Sequence, residues 1–438
     1  MAFRGFNAAV AAAVTLALTA APAFAVTKIE WWHAMTGPNN DVVVKLANDF
    51  NASQSEYQIV PTFKGSYYDT LNAGIAAFRA GHPPGILQVV EVGTATMMAA
   101  KGAVKPVYQL MKEEGEKFDP NAYLPAIAGY YSTSKGQMLS LPYNSSSMIM
   151  WVNLDALKQA GIAAPPKTWP EVFADATKLH ATHPTCGFSM AWGSWGTIEQ
   201  FSAWHNLPIG TKANGMDGWD TRFVFNNPVE TRFLTDLVRL QKTKIFDYSG
   251  RTNTGEGRFT SGECPLFMTS SGFYPNVKAH AKFKYTAVEM PYYPDVKGAP
   301  QNSIIGGASL WVMGHQTPEQ YKGIAKFFAF LSNTDRQVYL HEVSGYLPIT
   351  KAAYEKTKAS GFYEKNPILQ VPLEELTNKP PTKNSRGLRF GDMAQLRDVF
   401  SEEFEAALAG KKSPKAALDE AVARGNKILR QFQRTVVK

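Results

Sequence analysis

Hydrophobic and polar residues change their period several times within the first hundred residues of the chain. Residues 28–33, 57–63 and 86–92 predict β-strands, and the third is mostly apolar, as in a central strand covered on both faces. Between them, apolar residues recur at helical spacing, at Val42, Val43, Leu46, Ala47 and Phe50 and then at Leu71, Ile75 and Phe78. This order of strands and helices predicts an α/β lobe with a mainly parallel sheet.

The remainder of the chain alternates in the same way and ends in helices. Thr168 precedes a helical pattern and is a candidate N-cap. The other predicted elements are helices at 229–240, 321–331, 396–408 and after Pro414, and strands at 265–269 and 309–313. Nothing has the composition of a flexible linker, so we expect two lobes joined by several chain crossings that form a hinge.

The N-terminus has the pattern of an export signal. Arg4 precedes an apolar run at 8–20, and Ala23-Phe24-Ala25 supplies the small residues that a signal peptidase needs. We expect cleavage after Ala25 and, because no Cys follows the apolar run, no lipid anchor. A periplasmic location in a Gram-negative cell follows; the alternative is a buried N-terminal helix.

The chain of 438 residues is too long for one ordinary core, which favours two lobes. The predicted limits are a signal peptide at 1–25, a first lobe at 26–140 and 288–342, and a second lobe at 141–287 and 343–438. Basic residues exceed acidic ones by only 45 to 37 and are scattered, so nucleic-acid binding is not indicated. Cys186 and Cys264 form either a disulfide or two buried thiols, since an oxidising compartment permits the first without requiring it.

Catalytic and metal-binding signatures are weak. Of eight histidines only His180 and His183 lie close together, without a nearby acidic partner. The chain contains neither a G-x-S-x-G motif nor a phosphate-binding G-x-x-x-x-G-K-[ST] motif. We therefore expect no enzyme activity, no metal and no cofactor.

Several residues suit ligand binding, and each has a purely structural alternative. Glu91 follows an apolar strand, at the edge where α/β sheets bind ligands, and can accept hydroxyl donors or form a hinge salt bridge. Tyr67 lies between a strand and a helix, facing either the crevice or the core. The polar cluster around Ser146 lines a cleft or forms a turn.

The chain from Trp192 onwards adds four candidates. Trp192 and Trp195 stand among glycines and form either a platform for a small polyol or part of the core. Ser270 ends a strand before a helix, a position that suits an anion. Arg397, beside apolar Leu396 and Phe400, is expected to be partly buried and to meet an anion, either a ligand or a carboxylate of the protein itself.

Five segments resemble one known protein family closely: WHAM at 32–35, GIAAFRAG at 74–81, EVGTATMM at 91–98, IIGGASLWVM at 304–313 and GYLPITKAAY at 345–354. The family is that of the periplasmic sn-glycerol-3-phosphate-binding proteins of the Ugp importer, within the extracellular solute-binding proteins. The likeness runs from about Val26 to the C-terminus. It implies a two-lobed α/β periplasmic-binding-protein fold with its ligand cleft at the interlobe hinge. It also implies a monomer that delivers its ligand to an ATP-driven (ABC) permease in the inner membrane.

The resemblance also implies the ligand and its site. The ligand is glycerol 3-phosphate or a glycerophosphodiester such as glycerophosphocholine. Carried over by position, the phosphate shell consists of Tyr67, Ser146, Ser270, Gly307, Tyr346 and Arg397, and the glycerol end contacts Glu91, Trp192 and Trp195. Two stretches, 210–219 and 251–257, depart from the family pattern, and we expect them to alter the cleft rim.

Two rival functions remain open at this point. A carbohydrate-binding protein of the same fold would use the two tryptophans to stack against sugar rings. A glycerophosphodiester hydrolase would need a metal or a general acid–base pair beside the phosphate, and the sequence indicates neither.

Overall fold

The computed structural model describes Met1 and residues 26–436. The predicted signal peptide falls almost wholly outside the described residues. Within these residues ten strands form two sheets: β1 (Thr27–His33), β2 (Tyr57–Phe63), β3 (Ile86–Val90), β4 (Val104–Lys105), β5 (Leu141–Ser146), β6 (Met148–Asn153), β7 (Phe188–Met190), β8 (Leu266–Ser270), β9 (Tyr285–Val288) and β10 (Gly306–Met313). None of the helices described has both the length and the apolar character needed to cross a membrane.

Helices cover both sheets. In the first half of the chain they are α1 (Gly37–Ser53), α2 (Tyr67–Arg79), α3 (Thr94–Ala99), α4 (Val107–Glu113), α5 (Pro125–Tyr130), α6 (Leu154–Gln159), α7 (Trp169–His180), α8 (Phe201–Trp204) and α9 (Thr211–Asn214). The rest are α10 (Pro228–Gln241), α11 (Gly257–Thr260), α12 (Tyr274–His280), α13 (Pro318–Leu331), α14 (Thr334–Ser344), α15 (Lys351–Ala359), α16 (Phe362–Lys365), α17 (Val371–Thr377), α18 (Met393–Leu408) and α19 (Pro414–Val436). Thr168 caps α7 as predicted, in a capping box with Glu171.

The two sheets are mixed, which corrects the prediction of mainly parallel sheets. The first has the order β2-β1-β3-β10-β4, with β5 also paired to β10, and the second has the order β7-β8-β6-β9. Pairing is parallel for β1 with β2 and β3 and for β7 with β8, and antiparallel for all other pairs. The reason is that β10 returns from the second lobe and enters the first sheet in the opposite direction to β3.

The chain passes between the lobes more than once. Only Ser147 separates β5 of the first sheet from β6 of the second, and the chain returns to the first sheet between β9 and β10. Later, α18 and α19 pack against α10 and complete the second lobe. The predicted lobe limits stay a prediction, but sheet membership assigns Leu141–Ser146 to the first lobe and Val288 to the second.

Each lobe has its own aromatic core. Trp31 packs edge-on against Tyr143 in the first, and Phe201 stacks on Phe233 in the second at a centroid distance of 4.3 Å. The question of the two cysteines is answered by a disulfide between Cys186 and Cys264, whose Cα atoms are 5.0 Å apart. This bridge ties the segment before β7 to the segment before β8.

Candidate functional site

A cleft of about 1270 Å³, part of it open to solvent, lies between the two sheets. The carboxyl ends of β3, β5 and β8 and the start of β10 meet along it. All nine predicted site residues line this one cleft: Tyr67, Glu91, Ser146, Trp192, Trp195, Ser270, Gly307, Tyr346 and Arg397. Their convergence is a structural fact, whereas their contacts with a ligand stay a prediction.

Tyr67 owes its position to a helix start. Ser66 caps α2 in a capping box with Asp69, which makes Tyr67 the first helical residue. Its hydroxyl accepts a hydrogen bond of 2.8 Å from Asn144 Nδ2. Burial raises the pKa of Tyr67 well above its ordinary value, and burial also raises the pKa of Tyr346. Both phenols are therefore neutral hydrogen-bond donors at any physiological pH.

Gly307 is the position at which the cleft floor requires glycine. Its φ is +94°, and an added Cβ would lie 1.7 Å from the carbonyl oxygen of Asn144 on the paired strand. The register places Gly307 opposite Ser145 and Gly306 opposite Ser146. Gly307 consequently offers backbone rather than a side chain to the cleft, beside the buried Ser146.

Ser270 lies at the end of β8, as predicted. Its hydroxyl accepts a hydrogen bond of 3.1 Å from Gly272 N, which shapes the turn before α12. Ser270 lines the cleft, whereas the neighbouring Ser271 does not. From the other lobe, Asn39 Nδ2 donates to the carbonyl oxygen of Gly272 at 3.0 Å, and so closes this side of the cleft.

The two tryptophans form part of the wall contributed by the second lobe. Trp192 has a φ of 56°, a left-handed conformation that costs a non-glycine residue about 1 kcal/mol or more and is often retained at functional sites. Its ring centroid lies 6.4 Å from that of Tyr67 in the other lobe. Trp195 is buried and begins a π-helix, Trp195–Gln200; its Nε1 has no hydrogen-bond partner within the described part of the chain. The same is true of Nε1 of Trp31, Trp151, Trp169 and Trp311, so the missing partner does not by itself indicate a ligand contact.

Arg397 lies at the centre of a buried charge cluster. Its Nε and Nη2 donate to the two carboxylate oxygens of Glu199 at 2.7 and 2.8 Å. Nη2 also donates to Glu91 Oε1 at 2.8 Å, and Nη1 donates to the Tyr68 hydroxyl at 3.1 Å. The sequence left open whether Arg397 meets a ligand or an internal carboxylate, and the structure shows two internal carboxylates. One N–H of Nη1 remains for a ligand.

Glu91 therefore has a partner as well as a place in the cleft. Burial raises its pKa to about 7, against the opposing effect of Arg397 and in the same direction as the charge of Glu199. The hydrogen bond to Arg397 occupies Oε1. Glu91 thus forms the hinge salt bridge that was the structural alternative for it. Its Oε2 is still able to accept a hydrogen bond from a hydroxyl group.

Sequence reasoning missed Glu199, which lies behind the cleft, and several residues that line it. Glu199, which anchors Arg397, is the only charged residue among Asp, Glu, Lys and Arg within 188–210, and that isolation was a usable signal. The others line the cleft from loops or helix starts: Thr36, Asn39, Tyr68, Thr252, Asn253, Thr254, Glu256 and Asn276. Loop 251–257 thus reaches the cleft rim as expected, whereas no lining residue comes from 210–219.

The described residues contain no cluster of three or more His, Cys, Asp or Glu side chains able to hold a metal ion. The cleft instead brings together hydroxyl groups, two indole rings, the exposed backbone of a glycine and a guanidinium paired with carboxylates. Such a set binds a small polar solute through hydrogen bonds from both sides of a cleft.

Residues 45–371 match the family described as bacterial extracellular solute-binding protein. The chain belongs to this family. The solute-binding protein is 51% identical over 407 residues to the sn-glycerol-3-phosphate-binding periplasmic protein UgpB of Brucella abortus (strain 2308), covering 92% of this chain and 93% of the relative. It is 48% identical over 428 residues to the UgpB of Escherichia coli O1:K1 / APEC, with 97% of each chain covered.

Solved structures agree with the two-lobed fold of the solute-binding protein. UgpB from Mycobacterium tuberculosis in complex with glycerophosphocholine superposes with a TM-score of 0.77 at 18% identity, over 93% of this chain and 100% of that one. Maltose-bound MalE3 of T. maritima gives 0.75 at 19% identity, over 92% and 100%. At such identities these structures support the fold alone, and they confirm its prediction.

Proposed function

We propose that this protein captures sn-glycerol 3-phosphate or a glycerophosphodiester in the periplasm and delivers it to an ABC permease of the inner membrane. The observation that carries the proposal is the convergence of nine residues, scattered from Tyr67 to Arg397, on one interlobe cleft. Relatives named as sn-glycerol-3-phosphate-binding proteins, about half identical over nearly the whole chain, support the choice of ligand.

The phosphate end meets neutral donors for the most part. The hydroxyls of Tyr67, Tyr346, Ser146 and Ser270 and the free N–H of Trp195 donate to phosphate oxygens. Arg397 adds one N–H and a positive charge that is already paired with the carboxylates of Glu91 and Glu199. When the phosphate binds it loses its hydration water, and these hydroxyl and N–H donors replace the hydrogen bonds from that water.

The glycerol end meets an acceptor and apolar surface. Glu91 Oε2 accepts a hydroxyl proton, while the rings of Trp192 and Trp195 pack against the carbon atoms. Since Glu91 comes from the first lobe and both tryptophans from the second, the ligand holds the lobes together. Its differential affinity for the closed arrangement is what shifts the protein towards closure.

Isothermal titration calorimetry tests the ligand class. We expect glycerol 3-phosphate and glycerophosphocholine to bind and maltose not to bind; binding of maltose alone would favour the carbohydrate rival.

Incubation with glycerophosphocholine should release no choline, and release would favour the hydrolase. The same preparation, analysed as monomer or oligomer by light scattering, tests the expected monomer.

A matched pair of variants tests the cleft itself. Tyr67→Phe removes a hydroxyl from the proposed phosphate shell and should weaken glycerol 3-phosphate binding about tenfold, the equivalent of one good hydrogen bond to a charged group. Tyr108→Phe, in α4 and outside the cleft, should bind as the wild type does.

N-terminal sequencing of the exported protein tests cleavage after Ala25.

A further inference from the structure

Glu256 has an unusual position among the residues that line the cleft. Only three side chains of the described lining are charged, namely Glu91, Arg397 and Glu256. Glu91 and Arg397 neutralise each other, with Glu199 behind them. Glu256, in contrast, forms no ion pair within the described part of the chain.

The immediate neighbours of Glu256 give it hydrogen bonds without a balancing charge. Thr269 Oγ1 donates to Glu256 Oε1 at 2.6 Å. Burial raises the pKa of Glu256 to about 7, although hydrogen bonds from Thr269 and Trp192 act in the opposite direction. The nearby Arg258 bonds instead to Asp247 and Glu263. A partly desolvated carboxylate without a counter-charge is costly, and a cation placed against it relieves that cost.

The aromatic surface beside Glu256 also favours a cation. Trp192 is close enough to act on the pKa of Glu256, and its ring lies 6.4 Å from that of Tyr67. The faces of indole and phenol rings attract an ammonium group that lies within about 6 Å of the ring centroid. Glu256 and Ser270 of the proposed phosphate shell line the same cleft, so a cation at Glu256 would share that cleft with a bound phosphate.

The charge balance of the cleft distinguishes a cation from another hydroxyl. Glu91 and Glu256 together outweigh Arg397, so the lining is negative by one charge when both are ionised. A phosphate without a counter-charge adds to this excess, whereas a zwitterionic ligand does not. A neutral hydroxyl at Glu256 would leave the carboxylate uncompensated.

We propose that Glu256, with the rings of Trp192 and Tyr67, forms a subsite for the positively charged head group of a glycerophosphodiester. The proposal rests on the proposed function and deepens it. It makes Glu256 a specificity-determining residue that favours a zwitterionic diester over glycerol 3-phosphate. The head-group chemistry required is a substituted ammonium two carbons from the phosphate ester.

Calorimetry of Glu256→Gln with three ligands tests the subsite. Glycerophosphocholine carries the cation, the 3,3-dimethylbutyl ester of glycerol 3-phosphate replaces its nitrogen by carbon, and glycerol 3-phosphate lacks the head group. We expect the variant to bind glycerophosphocholine about tenfold more weakly, as for loss of a partly buried charged contact. The other two ligands are anions without a cationic head group and should bind at least as tightly as to the wild type, because the variant removes a like charge from the cleft.

Glu364→Gln removes the same charge from an exposed position and should change none of the three affinities. An equal loss for all three ligands, or no loss for glycerophosphocholine, would overturn the subsite while leaving the proposed function intact. Failure of the wild-type protein to bind any of the three would instead overturn the proposed function.

Discussion

Arg397 Nη2 and Glu91 Oε1 lie 2.8 Å apart and join the two lobes across the cleft. Arg397 belongs to α18 of the second lobe, and Glu91 follows β3 of the first. Within its own lobe Arg397 is held by both oxygens of Glu199. An opening motion would therefore break the bond to Glu91 and keep the pair with Glu199, so the guanidinium stays in place in both states.

This arrangement predicts that Arg397→Ala is more damaging than the loss of a ligand contact. Removal of the guanidinium leaves Glu91 and Glu199 buried without a cation, and breaking such a pair costs about 3–5 kcal/mol. We expect the free energy of unfolding without ligand to fall by that amount, measured by urea denaturation followed by circular dichroism. Arg397→Lys should fall between the variant and the wild type, since it keeps the charge but not the bidentate geometry.

Arg251→Ala is the matched control. Arg251 also pairs with a carboxylate, Glu405, at 2.6 Å, but its side chain is 40% exposed. Its removal should cost less than about 1 kcal/mol. An equal decrease in the free energy of unfolding for the Arg251 and Arg397 variants would show that the buried ion pairs stabilise the fold no more than an exposed pair does.

Glu91 predicts a pH dependence of binding. Its pKa is raised to about 7, chiefly by burial, so part of the population is protonated at neutral pH. Arg397, Glu199 and Tyr68 are the charged and titratable groups of this cluster. A bound phosphate anion favours the protonated, neutral form of Glu91, so affinity should fall by up to about tenfold per pH unit as the pH rises above 7.

The measurement uses the Glu256→Gln background, which removes the other cleft carboxyl with a raised pKa. Glycerophosphoglycerol is the ligand because its diester stays a monoanion throughout, and its affinity is measured by calorimetry from pH 6 to 8. Glu91→Gln in the same background should abolish the slope. A slope that persists without Glu91 would assign the proton to another group.

Much of the first lobe was readable from the sequence because local pattern and burial agree there. The strands predicted at 28–33, 57–63 and 86–92 correspond to β1, β2 and β3, although β3 ends at Val90, two residues before the predicted end. Strand direction was not readable, because the partner of β3 is β10, more than two hundred residues later. Pairing between segments so distant depends on the route of the chain, which periodicity does not encode.

The site shows the same division. The resemblance over long segments identified nine candidate residues, and all nine line one cleft. It identified neither Glu199 nor Glu256. Both acquire their roles from tertiary contacts, to Arg397 and to Thr269. An acidic residue in an apolar stretch signals burial, but only the fold shows whether its partner is an arginine, a threonine or a ligand.

The disulfide between Cys186 and Cys264 predicts a redox-dependent stability. It closes a loop with a sequence separation of 78 and joins the approaches to two neighbouring strands of the second sheet. Constraint of the unfolded chain by a loop of this size is worth about 4 kcal/mol. We expect a non-thiol reductant to lower the urea midpoint accordingly. The double variant with Ala at both positions should start at the lower midpoint and not respond, and equal midpoints with and without reductant would contradict the estimate.

Glu375 connects the chain crossings that form the hinge. Its Oε2 lies 2.5 Å from Ser147 Oγ, between β5 and β6, and its Oε1 accepts from Met290 N on the return path. Ser303 N donates to its backbone carbonyl oxygen at 3.0 Å. Burial raises the pKa of Glu375 well above its ordinary value, against the opposing effect of the hydrogen bonds from Ser147 and Met290. Ser147 Oγ donates to Glu375 Oε2 and also lies 3.0 Å from Ser303 Oγ.

Glu375→Gln should keep the network, since its Oε1 still accepts from Met290 N and its amide N–H can donate to Ser147 Oγ in place of accepting from it. The raised folded-state pKa means that wild-type stability falls as the pH rises above about 4.3, the pKa of an unfolded glutamate. Unfolding by urea between pH 4 and 8 should show this component of the slope in the wild type and not in Glu375→Gln. Glu375→Ala should lose about 3 kcal/mol, because it leaves a cavity and unpaired donors. The same pair of substitutions at the exposed neighbour Glu374 should be nearly neutral, and a wild-type slope retained by Glu375→Gln would show that Glu375 is already ionised in the folded protein.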